Sequence, residues 1–247
     1  MPGTAPRRRH RFAAATIGAT LTLLPLQVAT LGEDAAAAPA RAAAATDACG
    51  PVQLKTSGQQ WTCSFVENFD GDALNTDKWM VQHTADNGFR TERTCYRDDP
   101  DNIAVRDGSL VLTARKGKWV NCRYRARWMS TRFTGGLIGT KDKFSQTYGR
   151  FEVRAKFPDT DRAGLHGGFW MFPDDLTYGR WPSSGEIDVA EWWSYEPTLV
   201  LPSLHFDGRD PDVDSGWDCR VDDPAAFHTY TVVWKPSGFQ FGIDGTT

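Results

Sequence analysis

Three carboxylates stand close together in the stretch WPSSGEIDVAEWW, from Trp181 to Trp193: Glu186, Asp188 and Glu191. Their neighbours Ile187, Val189, Trp192 and Trp193 are strand formers with large apolar surfaces. Side chains of a β-strand alternate between its two faces, so Glu186 and Asp188 share one face and Ile187 and Val189 the other. Strict alternation would send Glu191 to the face of Ile187. One extra residue in the strand, a β-bulge, shifts the phase. The spacing predicts that bulge at Val189-Ala190. Glu191 then rejoins Glu186 and Asp188, Trp193 follows on the same side, and Trp192 turns into the core with Ile187.

Three acidic groups on one strand face repel one another, and strands are poor hosts for Asp and Glu. A solvated edge strand could carry them harmlessly, but the aromatic and β-branched flanks describe a half-buried central strand. In such a place the titrations are driven apart, so that one group is ionised while another keeps its proton. That division of labour is what hydrolysis of a glycosidic bond requires. A mechanism that retains configuration needs two carboxyl groups about 5–5.5 Å apart. Four pleat steps of a flat strand cover about 13 Å. Glu186 and Glu191 therefore meet across one bond only if the strand bends and both side chains lean inward.

GEIDVAE resembles the E-x-D-x-x-E signature of glycoside hydrolase family 16, in its bulged, laminarinase-like form. The resemblance runs from about Trp61 to Thr247 and is most specific at WPSSGEIDVAE. YGRFEVRAKFP, GGFWMFP, FHTYTVVW and the pair Asp244-Gly245 are similar to family segments, in the family's order. The resemblance implies that Glu186 is the nucleophile and Glu191 the general acid/base. Asp188, between them, would hydrogen-bond the nucleophile. It further implies that Trp181 lines the site beside the nucleophile, that His205 faces the cleft, and that Glu92, in TERTCY, lines it too. Where the family usually has Trp-Pro, this chain has His166-Gly167 in GLHGGFWMFP. An imidazole covers less of a sugar ring than an indole and can donate hydrogen bonds. His166 is thus expected to bind substrate, and the sugar preference beside the scissile bond is open.

The remaining elements must hold that strand in place. The chain has 247 residues and a net charge of −3, with 10 Trp, 14 Phe and 6 Tyr. Residues 1–40 read as a signal peptide: basic at Arg7 to Arg11, apolar from Phe12 to Leu31, with Ala38-Pro39-Ala40 as a cleavage site. Its removal takes away four arginines and two acidic groups, and a chain more acidic still is a poor nucleic-acid partner. Lys116 to Arg132 interleaves basic residues with Trp119, Tyr124 and Trp128, but as a lone loop in an acidic chain. Residues 41–60 read as an N-terminal arm and 61–247 as the catalytic domain. Five cysteines in an exported chain point to disulfides. Cys49 and Cys63 are placed to staple the arm, Cys95 and Cys122 bracket a polar loop pair, and Cys219 is the odd one. Their spacings match no common zinc pattern, and no metal is assigned.

Short strands are expected at Trp61–Phe65, Trp79–His83, Thr134–Thr140, Gly149–Phe157, Thr198–Phe206, His228–Trp234 and Phe239–Ile243, with a hairpin turning at Asp107-Gly108. Many short strands between Gly, Asp and Pro turns describe an all-β sandwich. The resemblance narrows this to a concanavalin-like jelly roll of two antiparallel sheets with a concave cleft. FQFGIDGTT reads as a hairpin in progress, so the domain is expected to lack its C-terminal strands, and the partner of Cys219 is expected beyond Thr247.

The function the resemblance implies is a secreted, extracellular, monomeric endo-β-glucan hydrolase that retains configuration, acting on β-1,3-glucan without a cofactor. Trp181 and Trp193 would hold the polysaccharide by stacking. The Asp-rich loop from Asp207 to Pro224 offers oxygen ligands for a structural calcium, though such turns are ordinarily just solvated. No membrane partner is expected once the signal is removed. Two other readings stand: a family member acting on mixed-linkage glucan or galactan, or transferring glycosyl groups, and a lectin-like module that only binds.

Overall fold

The alternation of apolar and polar residues from Phe151 to Lys156 and from Thr229 to Trp234 builds the most regular part of the molecule. The computed structural model describes residues 46–124, 126–209 and 219–247, within one compact unit, Ala45–Thr247. The expected signal peptide, residues 1–40, lies outside the described residues, as does most of the Asp-rich loop, residues 210–218. Among the described residues no helix is long and apolar enough to cross a membrane.

The strands are β1 (Thr46–Asp47), β2 (Gly50–Pro51), β3 (Met80–Val81), β4 (Thr94–Tyr96), β5 (Ile103–Arg106), β6 (Ser109–Leu112), β7 (Arg115–Tyr124) and β8 (Arg127–Gly135), with one helical turn, α1 (Thr84–Asn87), before β4. Then follow β9 (Ile138–Gly139), β10 (Gly149–Ala155), β11 (His166–Met171), β12 (Glu186–Trp193), β13 (Leu199–His205), β14 (Cys219–Arg220), β15 (His228–Lys235) and β16 (Gly238–Ile243). Two ladders matter most. One is the sheet β10-β15-β16, the other the sheet β11-β12-β13-β14, and every pair in both is antiparallel. The smaller ladders are β4-β8-β7, β5-β6, β3-β9 and β1-β2.

In the three-stranded sheet, Phe151 pairs with Val232 and Val232 with Phe241, while Val153 pairs with Tyr230 and Tyr230 with Ile243. These cross-strand rows form one wall of the core. Ile187, Val189, Ala190 and Trp192 of β12 and Val200 of β13 form the other. Phe157 joins the two walls. Its ring lies flat on Trp192, 5.3 Å away at 8°, and its centroid is 5.8 Å from that of Tyr230. Trp192 is fully buried and donates its indole N–H to the Pro197 carbonyl at 2.8 Å, so no polar atom of the ring is left unsatisfied.

Asp107-Gly108 and Asp244-Gly245 have positive φ at both positions, as a two-residue turn that matches strand twist requires. Two disulfides join Cys49 to Cys63 and Cys95 to Cys122, the pairs suggested by position; Cys219, opposite Val200 in β14, is in neither.

Several local expectations change. Trp61–Phe65 is irregular rather than a strand; the disulfide at Cys63 holds it instead of a ladder. The strand expected at Trp79–His83 shrinks to β3. Lys116 to Arg132, expected as a lone loop, forms most of the hairpin β7-β8, because Val120 pairs with Thr131 and Cys122 with Met129 on the inward face. One pair, β4-β8, is parallel.

Candidate active site

β12 departs from regular pairing on both sides. Against β11, Gly168 faces Glu191 and Phe169 faces Ala190, but the next pair is Trp170 with Asp188. Against β13, Asp188 faces Ser203 and Glu191 faces Leu201. The irregularity thus falls at Val189-Ala190. Val189 and Ala190 are both buried, 4% and 1% exposed, while Glu191 returns to the partly open side with Glu186. Two consecutive residues face the core, so the phase slips by one.

The bulge brings the three carboxylates onto one face and surrounds them with donors. Trp181 donates its indole N–H to Oε2 of Glu186 at 2.6 Å. Ser203 donates its hydroxyl to Oδ2 of Asp188 at 2.7 Å, and Nε2 of His205 lies 3.0 Å from the same oxygen. Arg209 places Nη1 3.4 Å from Nδ1 of His205. A guanidinium only donates, so Nδ1 accepts and the Nε2–H points to Asp188. Nε2 of His166 lies 3.1 Å from Oε1 of Glu191, and its ring stacks on Trp193 at 4.9 Å. The rings of Trp181 and His205 are 5.5 Å apart.

Burial raises both inner carboxyls. Glu186 is pushed up to about 7, first by desolvation and then by the charge of Asp188, against the lowering effect of the Trp181 hydrogen bond. Asp188 is also raised, chiefly by desolvation, with Ser203 and His205 pulling the other way. Each carboxylate modulates the other, so the ionisation of Glu186 depends on the charge of Asp188 beside it. Donor atoms of Glu186, Asp188 and His205 lie within 4.8 Å of one another and could meet a single cation. Trp181 and Ser203 already serve Glu186 Oε2 and Asp188 Oδ2, so hydrogen bonds satisfy these oxygens without one.

Of the residues singled out from sequence, Trp181, Glu186, Asp188, Glu191, Trp193, His205 and His166 come together here. Glu92 does not join them through any hydrogen bond or ion pair among the described residues. It is exposed, in a left-handed conformation (φ 50°) ahead of β4. Ser203 and Arg209 were not picked out. Ser203 was legible in one respect, since it stands two residues before His205 and so shares its strand face. Trp170, opposite Asp188, was also missed. It stacks on Phe89 at 6.0 Å, and Phe89 in turn on Tyr96 at 6.0 Å, extending the aromatic surface beside the carboxylates.

The family profile Glycosyl hydrolases family 16 matches residues 91–247. The glucan endo-1,3-beta-glucosidase of Cryptopygus antarcticus is 33% identical over 193 residues, 74% of this chain and 67% of that protein. The glucan endo-1,3-beta-glucosidase A1 of Niallia circulans is 33% identical over 192 residues, 72% of this chain but 28% of that much longer protein. The solved laminarinase of Rhodothermus marinus superposes with a TM-score of 0.64 at 29% identity, covering 75% of this chain and 72% of that one. The chain belongs to glycosyl hydrolase family 16. Its β-sandwich is the fold of the laminarinases, and the chain spans only 28% of the Niallia circulans glucosidase it matches.

Proposed function

We propose that this protein is an exported endo-β-glucan hydrolase cutting β-1,3-glucan with retention of configuration. The observation that carries the reading is the bulged strand, which turns Glu186 and Glu191 to one face with Asp188 between them. The names of the two glucosidases and the laminarinase point to the same bond. The two disulfides and the basic-apolar N-terminal segment support export to an oxidising compartment.

In the first half-reaction Glu186, ionised, attacks the anomeric carbon. The bond from that carbon to the glycosidic oxygen breaks, its electron pair stays on the oxygen, and Glu191 delivers a proton there. A glycosyl ester on Glu186 results. In the second half Glu191 takes a proton from water, the hydroxide oxygen attacks the same carbon, and Glu186 leaves as carboxylate. Asp188 acts on Glu186 through its charge. Held by Ser203 and His205, it sets how readily Glu186 ionises. Trp181 fixes one oxygen of Glu186, and Trp181, Trp193 and the Trp170-Phe89 pair offer faces on which sugar rings stack.

Substituting Glu186→Gln tests this directly. Turnover of laminarin, followed by new reducing ends, is expected to fall by more than about 10⁴-fold, while oligosaccharide binding and the melting curve hold. Near-normal turnover would remove the nucleophile. Proton NMR of the first product should show the β-anomer. A second reading, action on another β-linked polysaccharide such as mixed-linkage glucan or galactan, is favoured by His166 standing where the family usually has Trp. Rates on a panel of these polymers decide between them.

A further inference from the structure

We propose that His166 is a positioning residue for Glu191, donating through its Nε2–H to Oε1 so that Oε2 carries the proton delivered to the leaving group. This rests on the reading of Glu191 as general acid/base given above. It replaces, for His166, the expectation of a sugar-contacting residue.

Backbone, neighbour and geometry all point this way. His166 pairs with Trp193, and Gly168 pairs with Glu191, so His166 and Gly168 lie on the carboxylate face of β11. Gly168 has no side chain to cover Glu191, and a Cβ there would sit 3.3 Å from the Ala190 carbonyl oxygen in the bulge. At Gly167 a Cβ would sit 3.3 Å from the Phe157 ring. Gly168 lets β11 run close beside the bulge and Gly167 lets it pack on Phe157, and the space above Glu191 is left to the side chain two residues before Gly168. The His166 ring fills it, 29° from coplanar with Trp193, and the stack fixes the ring plane so that Nε2 rather than a carbon edge meets Oε1 at 3.1 Å. The side chains of His166 and Glu191 are 35% and 23% exposed, so a leaving group can reach the carboxyl while one of its oxygens is held.

A carboxyl with one oxygen engaged by a donor carries its proton on the other. The hydrogen bond therefore selects which oxygen is the acid. Without it the carboxyl rotates between equivalent states, and part of the population points the proton away from the glycosidic oxygen.

The test compares substrates that need the acid with one that does not. His166→Phe keeps a ring on Trp193 and removes the donor. Its kcat/KM on laminarin is expected to fall about tenfold, a modest part of what general acid catalysis contributes. Its kcat/KM on 2,4-dinitrophenyl β-laminaribioside, whose leaving group departs without protonation, should stay within about twofold. His166→Gln, which restores an N–H donor, should recover part of the loss on laminarin. Equal losses on both substrates, no loss on either, or a change confined to KM would overturn the proposal. Glu191→Ala run alongside separates the two readings. If it does not spare the dinitrophenyl substrate while losing laminarin, the acid/base role itself falls, and the proposal with it. If it does, and His166→Phe fails the comparison, only the proposal falls.

Discussion

β12 and β15 are the same length, eight residues each, and both are central strands with antiparallel partners on either side. They meet across the core, where Ile187 and Trp192 join the same apolar cluster as Tyr230 and Val232. Yet β15 keeps unbroken register with β10 and β16, whereas β12 breaks register with both β11 and β13. The difference shows what a bulge does. In β15 every second residue is committed to the core, so its outer face carries Thr229, Thr231 and Val233 by default. In β12 the core claims two residues in succession, and the outer face gains a spacing that alternation cannot produce. Scaffold and chemistry are thus written on facing strands by the presence or absence of one residue.

Deleting a residue from each strand would break the comparison most severely. Removing Thr231 from β15 turns half the strand inside out, taking either Tyr230 or Val232 from the core, and no cooperative melt is expected by circular dichroism. Removing Ala190 from β12 leaves one residue where the bulge had two. Glu191 and Trp193 then keep their face, so a cooperative melt should survive while laminarin hydrolysis is lost through the shortened spacing. If both deletions behave alike, the bulge is not the device described here.

A smaller effect sharpens the electrostatic side. Asp188→Asn removes the charge that, after burial, most raises Glu186. As the proposed nucleophile, Glu186 must be ionised to attack, so activity is expected to be lost as pH falls through its pKa. That pKa drops in the variant, and the acid limb of the kcat/KM profile should move to lower pH, with activity down by roughly an order of magnitude. An unmoved limb would separate Asp188 from Glu186.

The smallest effect belongs to the regular sheet. His228 donates through its Nδ1–H to Asp244 Oδ2 at 2.7 Å and through its Nε2–H to the Asp223 carbonyl at 2.9 Å, tying β15 to the turn after β16. Its pKa is raised, first by the hydrogen bond with Asp244. The stability this adds is fully present below 6.5 and is lost as pH rises through the folded value. Asp244 is half exposed, so the effect is small. A melting midpoint that declines between pH 6 and 8 should lose part of that slope in His228→Gln.

The carboxylate trio and its bulge could be read along the chain because both depend on strand period alone: three acidic residues and four core formers leave one phase that satisfies all of them. The Asp-Gly turns were legible because they rest on backbone conformations open to few residues. The hairpin β7-β8 was not, since its basic and aromatic outer face masks the inward row of Val120, Cys122, Met129 and Thr131. Nor was the loss of the Trp61–Phe65 strand, because nothing local reveals that a segment has no ladder to join.

What the sequence alone determined is which groups stand on the reactive face, in what order, and that the strand must slip by one residue to put them there. Tertiary structure decided the partners. Ser203 and His205 come to Asp188 from 15 and 17 positions away, and His166 comes to Glu191 from 25 positions upstream, through the registers of β13 and β11. Those registers are set by the packing of Phe157, Trp192 and Tyr230 between two sheets, and a cooperative fit of that kind has no local trace in the chain. Periodicity speaks for single strands; the contacts that tune an acid are made only when the strands are laid side by side.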